Sequence, residues 1–116
     1  MNHKDLDVWK KGMDLVVEVY NWTGLFPDSE KFGLTSQMRR AAVSIPSNIA
    51  EGSARKGDKE LIQFINIALG SVSELETQYL IAERLKLAPS HQLLCDLIIN
   101  EKKLLIGYRN YVSRKG

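Results

Sequence analysis

Cysteine is nearly missing from this chain: Cys95 stands alone, so no intrachain disulfide can form. It lies in the apolar run from Leu93 to Ile99, where a free thiol behaves as packing. No apolar run approaches the roughly 18 residues of a membrane span, and the N-terminal MNHKDLDVW lacks the apolar core of an export signal. These absences predict a cytoplasmic protein with no membrane partner. Histidine is almost as scarce. His3 sits in a terminal stretch expected to be loose, and His91 in the first turn after Pro89. The Glu-x-x-His signature of helical di-iron sites does not occur, so neither a metal nor a cofactor is expected. Phosphate loops of the G-x-x-x-x-G-K-[ST] and G-x-G-x-x-G kinds are missing too. Ser44 and Ser47 lie near Arg40 and Glu51, but no histidine or lysine shares that face to take a proton from them. The acidic pairs Glu74 with Glu76 and Asp28 with Glu30 are spaced by two, which turns helical carboxylates to different faces. Catalysis is not expected.

Nothing reads as a strand pair or a glycine-rich linker, and four helical segments remain. They run from about Leu6 to Thr23, Gly33 to Ser53, Asp58 to Lys86 and His91 to Ser113, with Asp58 and Ser90 as expected caps. Connections this short join antiparallel neighbours. The expected fold is all-α, an antiparallel up-down-up-down four-helix bundle in one domain spanning residues 1–116, with the second helix kinked at Pro46. A chain of this length buries roughly 65% of the surface its unfolded form exposes.

Leu61, Ile65, Ala68, Val72, Leu75, Tyr79 and Ala82 give the third helix a sustained heptad stripe, as befits a core helix. Leu94, Ile98, Leu105, Tyr108 and Val112 match it on the fourth, with Glu101 inside the stripe. A rim position, with the stem packed and the carboxylate reaching water, is the expected solution for Glu101. The first helix has two stripes. Trp9, Met13, Val16, Val17 and Tyr20 form one, and Val8, Leu15, Val19 and Trp22 the other. Their combined arc is about 220° at 3.6 residues per turn, against the ~100° that a bundle helix needs. Surplus apolar surface points to self-association, with Val8, Leu15, Val19 and Trp22 as the expected subunit contact.

The segment GLTSQMRRAAVSIPSNIAEG, from Gly33 to Gly52, patterns as a helix yet holds Pro46 at its centre, at a cost of about 3 kcal/mol. Leu34, Met38, Ala41, Ile45 and Ile49 form its core face. Arg40, Ser44, Ser47 and Glu51 form a polar row elsewhere on the cylinder, and Ser44, Ser47 and Asn48 can serve the backbone groups that Pro46 frees. Arg40 and Glu51 are three turns apart, so each needs a partner from another helix, another subunit or a ligand. Arg40, Ser44, Pro46, Ser47, Asn48 and Glu51 are the candidate assembly row.

The net charge is only +2, with a pI near 8.7. Arg39, Arg55, Lys56 and Lys59 are the candidate nucleic-acid contacts, joined at the C-terminus by Arg109, Arg114 and Lys115. A solvated face is the ordinary explanation for such charges. No aromatic is interleaved among them, so phosphate contact is expected and base stacking is not. A protein-interaction scaffold without nucleic acid is the alternative.

The Gly33 to Gly52 segment, with DLDVWKKGMDLVVEVY before it and FINIALGSVSELETQ after it, resembles the four-helix-bundle proteins encoded in intervening sequences of bacterial 23S rRNA genes. The resemblance covers nearly the whole chain and weakens after Leu87. It implies a ring-shaped homopentamer, which would carry about +10 per particle and reinforce any basic patch. It also implies a likeness in fold and assembly to the accessory proteins of diversity-generating retroelements, hence RNA, DNA or reverse-transcriptase partners.

Overall fold

Four stripes of apolar side chains need one common interior, and four helices supply it. The computed structural model describes residues 2–115. The helices are α1 (Asp7–Thr23), α2 (Leu34–Ser53), α3 (Asp58–Arg84) and α4 (Gln92–Lys115), with short 3₁₀ turns at His3–Asp5 and Asp28–Glu30. The 27 residues of α3 rise about 40 Å, most of the 46 Å length of the molecule. Each helix packs on its sequence neighbours and α4 closes against α1. Neighbours run antiparallel, as contacting residues rise in number on one helix while they fall on the next. Lys102 meets Glu76, Arg109 meets Asn66 and Lys115 meets Asp58 between α4 and α3. Ser44 meets Ser71, and Gly52 packs beside Phe64, between α2 and α3.

The helix ends differ from expectation in chemistry more than in position. Gly57, not Asp58, occupies the α3 cap position, and Asp58 is the first helical residue. Ser90 donates to Glu83 Oε2 at 2.9 Å instead of capping α4. His91 takes that role, its Nδ1 accepting from Leu94 N–H at 3.4 Å and its carbonyl from Cys95 N–H. Two bonds close the end of α3, Leu87 N–H to the Ala82 carbonyl and Lys86 N–H to the Glu83 carbonyl, with Lys86 in the left-handed region at φ 55°. Glycine usually fills that slot in this cap.

Val8, Leu15, Val19 and Trp22 are buried inside the protomer, which corrects their assignment to subunit contact. With Gly12 they form the heptad 8, 12, 15, 19, 22, the seam that a bundle turns inward. Trp22 locks one end of the bundle. Its ring stacks on Tyr79 at 4.7 Å and meets Phe26 edge-on at 5.1 Å, while its Nε1–H donates to the Pro89 carbonyl at 2.8 Å. The other stripe is split, with Trp9 and Val16 half-buried against the core and Met13, Val17 and Tyr20 exposed.

Glu101 is the second correction. Its residue exposure is 0%, and neither carboxyl oxygen has a hydrogen-bond partner among the described residues. Burial pushes its pKa up to about 8, so the side chain is neutral at pH 7. The space it fills is the one Gly12 leaves: a Cβ on residue 12 would stand 2.9 Å from Glu101 Oε2, with Ile45 and Pro46 each 3.6 Å away. Gly52 has a related role at the α2–α3 crossing, where a Cβ would come within 2.8 Å of Phe64 Cβ.

Candidate nucleic-acid interface

Helix α2 continues unbroken on both sides of Pro46, which is buried. The polar row along it divides. Ser44 and Asn48 turn inward: Ser44 Oγ lies 2.8 Å from Ser71 Oγ on α3, and Asn48 Nδ2 donates to the Ser44 carbonyl at 2.7 Å and to its hydroxyl at 2.9 Å. The Ala42 carbonyl that faces the Pro46 ring receives no side-chain hydrogen bond among the described residues. Ser47 and Glu51 are exposed, and Glu51 pairs with Arg55 in the bend just past the end of α2. Arg40 is exposed and makes no ion pair or hydrogen bond among the described residues. It stands beside Glu74 in the recess between α2 and α3.

An apolar groove follows the outer seam of α1 and α2. One part, about 340 Å³, is lined by Trp9, Met13, Val16, Val43, Pro46 and Ala50. The other, about 630 Å³, shares Val43 and is mixed in character, with Tyr20 and Phe32 among Lys31, Thr35, Arg39 and Arg40. The Phe32 ring is 89% exposed.

The four basic residues singled out in the sequence do not form one patch. Arg39 is in the second turn of α2, about 21 Å of helical rise from Ser53 at its end, and Arg55 lies just beyond that end. It staples α2 to the end of α1: Nε donates to Thr23 Oγ1 at 2.9 Å, Nη2 to the Tyr20 carbonyl at 3.4 Å, and the guanidinium lies 4.4 Å over the Tyr20 ring. A cation is favoured there because the α1 carbonyls end there. Arg55, Lys56 and Lys59 sit at the opposite end of the bundle, all exposed.

Antiparallel packing brings a second set of residues to that end. The last turns of α4 lie beside the first turn of α3, with Lys115 Nζ 3.8 Å from Asp58 Oδ1. A recess of about 170 Å³ opens between them, lined by Arg55, Lys56, Asp58, Tyr108, Tyr111 and Lys115 among others. Lys115 Nζ lies 5.8 Å from the centre of the Tyr111 ring, and Arg55 lies 5.0 Å over Phe64. Burial raises the Tyr108 pKa, with the Asp58 carboxylate adding to it. The expectation that no aromatic stands among these basic residues is therefore wrong. Tyr111 was legible in the sequence, between Arg109 and Arg114 and four residues before Lys115; only its meeting with Arg55 and Lys56, half a chain away, was not. The up-down topology was the signal that could have found it, as it sends the α2–α3 turn and the end of α4 to the same pole.

No helix among the described residues is long and apolar enough to cross a membrane. The chain matches the family model described as 23S rRNA-intervening sequence protein over residues 4–107. It belongs to that family. The chain is similar to a protein of unknown function from the S23 ribosomal protein family of Bacteroides thetaiotaomicron VPI-5482, with a TM-score of 0.82 at 24% identity over 95% of this chain and 99% of that one. That likeness speaks for the fold alone. No curated protein matches the chain.

Proposed function

We propose that this family member is a non-enzymatic homo-oligomer, a ring of five copies, that holds structured RNA by its phosphates on the basic pole of each bundle. The observation that carries the reading is the convergence of Arg55, Lys56 and Lys115 around one recess, with exposed Lys59 and Arg114 in the adjoining turns. Phosphate neutralisation by such clusters supplies most sequence-independent affinity. Repetition around a ring multiplies the field that one chain at +2 generates weakly. The outer α1–α2 groove supports assembly, since exposed Met13, Val43 and Phe32 form apolar surface that a second copy can cover.

Anisotropy of a labelled, structured RNA at low salt tests the reading. The wild type should bind, and Arg55→Ala/Lys56→Ala/Lys59→Ala should bind at least tenfold more weakly while still assembling. Failure of the wild type to bind would favour the second reading, a protein-interaction scaffold, which the same α1–α2 groove also supports.

A further inference from the structure

Tyr111 is the one aromatic of the basic pole that stands clear of the core. It is 56% exposed, whereas the α4 core stripe passes through Leu105, Tyr108 and Val112 beside it. A tyrosine ring more than half open to water among cations offers an aromatic surface in a charge setting that suits a polyanion. Lys115 approaches the ring at 5.8 Å, and its one carboxylate contact among the described residues, Asp58 at 3.8 Å, is at the long end of ion pairing between half-exposed groups. Lys56 is exposed and has no ion-pair partner among the described residues. Among the described residues Asp58 is the single acid that lines the recess, against the cations of Arg55, Lys56 and Lys115.

We propose that this recess takes an unpaired nucleobase stacked on Tyr111, with the flanking phosphates on Lys56 and Lys115. The inference rests on the nucleic-acid reading above and narrows it to single-stranded segments: loops, bulges or ends. A duplex hides its base faces within its own stack, so it can meet the lysines but leaves the tyrosine unused. Stacking on an aromatic side chain accepts every base, which makes the site selective for strandedness and tolerant of sequence. Tyr108 sits one turn before Tyr111 on the same side of α4 and forms the inner wall.

The test compares four labelled probes of equal length by anisotropy: oligo-U, oligo-dT, a blunt duplex and an abasic strand of the same charge. Wild type should prefer oligo-U and oligo-dT over the abasic strand by about 5- to 100-fold, the range that one stacked base supplies. Tyr111→Ala should erase that preference and leave abasic affinity and its salt slope unchanged; Tyr111→Phe should retain it. Lys56→Ala should weaken all four probes together. Equal wild-type affinity for the abasic and base-bearing strands would overturn the stacking site while leaving phosphate binding standing. A uniform loss of all probes in Tyr111→Ala would also overturn it. No binding of any probe would overturn the nucleic-acid reading and this site with it.

Discussion

Replacing Glu101 with glutamine should remove a pH dependence that one buried carboxyl imposes on the whole bundle. An unfolded glutamate ionises near 4.5, whereas in the folded chain burial moves Glu101 to about 8. The folded state therefore binds the proton more tightly than the unfolded state does. Its contribution to stability is intact below about pH 4.5 and is lost as pH rises towards 8, above which the loss is complete. At about 1.36 kcal/mol per pH unit the total is about 4 to 5 kcal/mol, a large share of the 5–15 kcal/mol that holds an average domain together. The remaining groups with raised pKa values, Cys95, Tyr79 and Tyr108, start from 9.0 or 10.0 and leave the window between pH 5 and 8 untouched. Glutamine keeps the shape and cannot ionise. Urea unfolding at intervals from pH 5 to 9 should show the wild type losing stability by up to about 1.4 kcal/mol per pH unit, with Glu101→Gln markedly flatter. Wild-type and variant curves that run parallel would refute the reasoning, as would a carbon-detected titration placing Glu101 near its unfolded value.

Trp22→Ala should cost about 3–5 kcal/mol and lower the melting temperature, because the ring is buried against Tyr79 and Phe26. Met13→Glu on the outer face should instead leave the melting temperature of the protomer near that of wild type and reduce the assembled mass seen by light scattering. Lys86→Gly should raise unfolding stability by about 1 kcal/mol in a urea titration, as it relieves a left-handed residue in the α3 cap. Pro46→Ala removes part of the lining of the α1–α2 groove and should weaken the oligomer in native mass spectrometry. A variant stabilised by up to about 3 kcal/mol with unchanged assembly would show the ring to be incidental.

The helices of this chain are legible because apolar residues recur at heptad spacing and Gly, Pro and Asp mark their ends. What misled the reading of α1 is Gly12. It belongs to the inward heptad but has no side chain to register as apolar, so the stripe through Val8, Leu15, Val19 and Trp22 looked like surplus. The burial of Glu101 was hidden for the matching reason, since the vacancy that admits it belongs to another helix. Periodicity reports one helix at a time. The interface was half legible: Arg55, Lys56 and Lys59 are adjacent in sequence, but Tyr111 and Lys115 join them only through the antiparallel return of α4. Arg39 reads as part of a basic run and is instead fixed by α1, through groups that its own segment does not contain.

The central claim is that the basic pole binds phosphates. The salt dependence of RNA binding by the assembled wild type measures this most directly. The account predicts that log affinity falls linearly with log salt, by about 0.7 per contact for single strands and about 0.9 for duplex DNA, and that Arg55→Ala/Lys56→Ala/Lys59→Ala makes the slope shallower. Binding with a flat salt response, or a slope that the triple variant leaves unchanged, would contradict it.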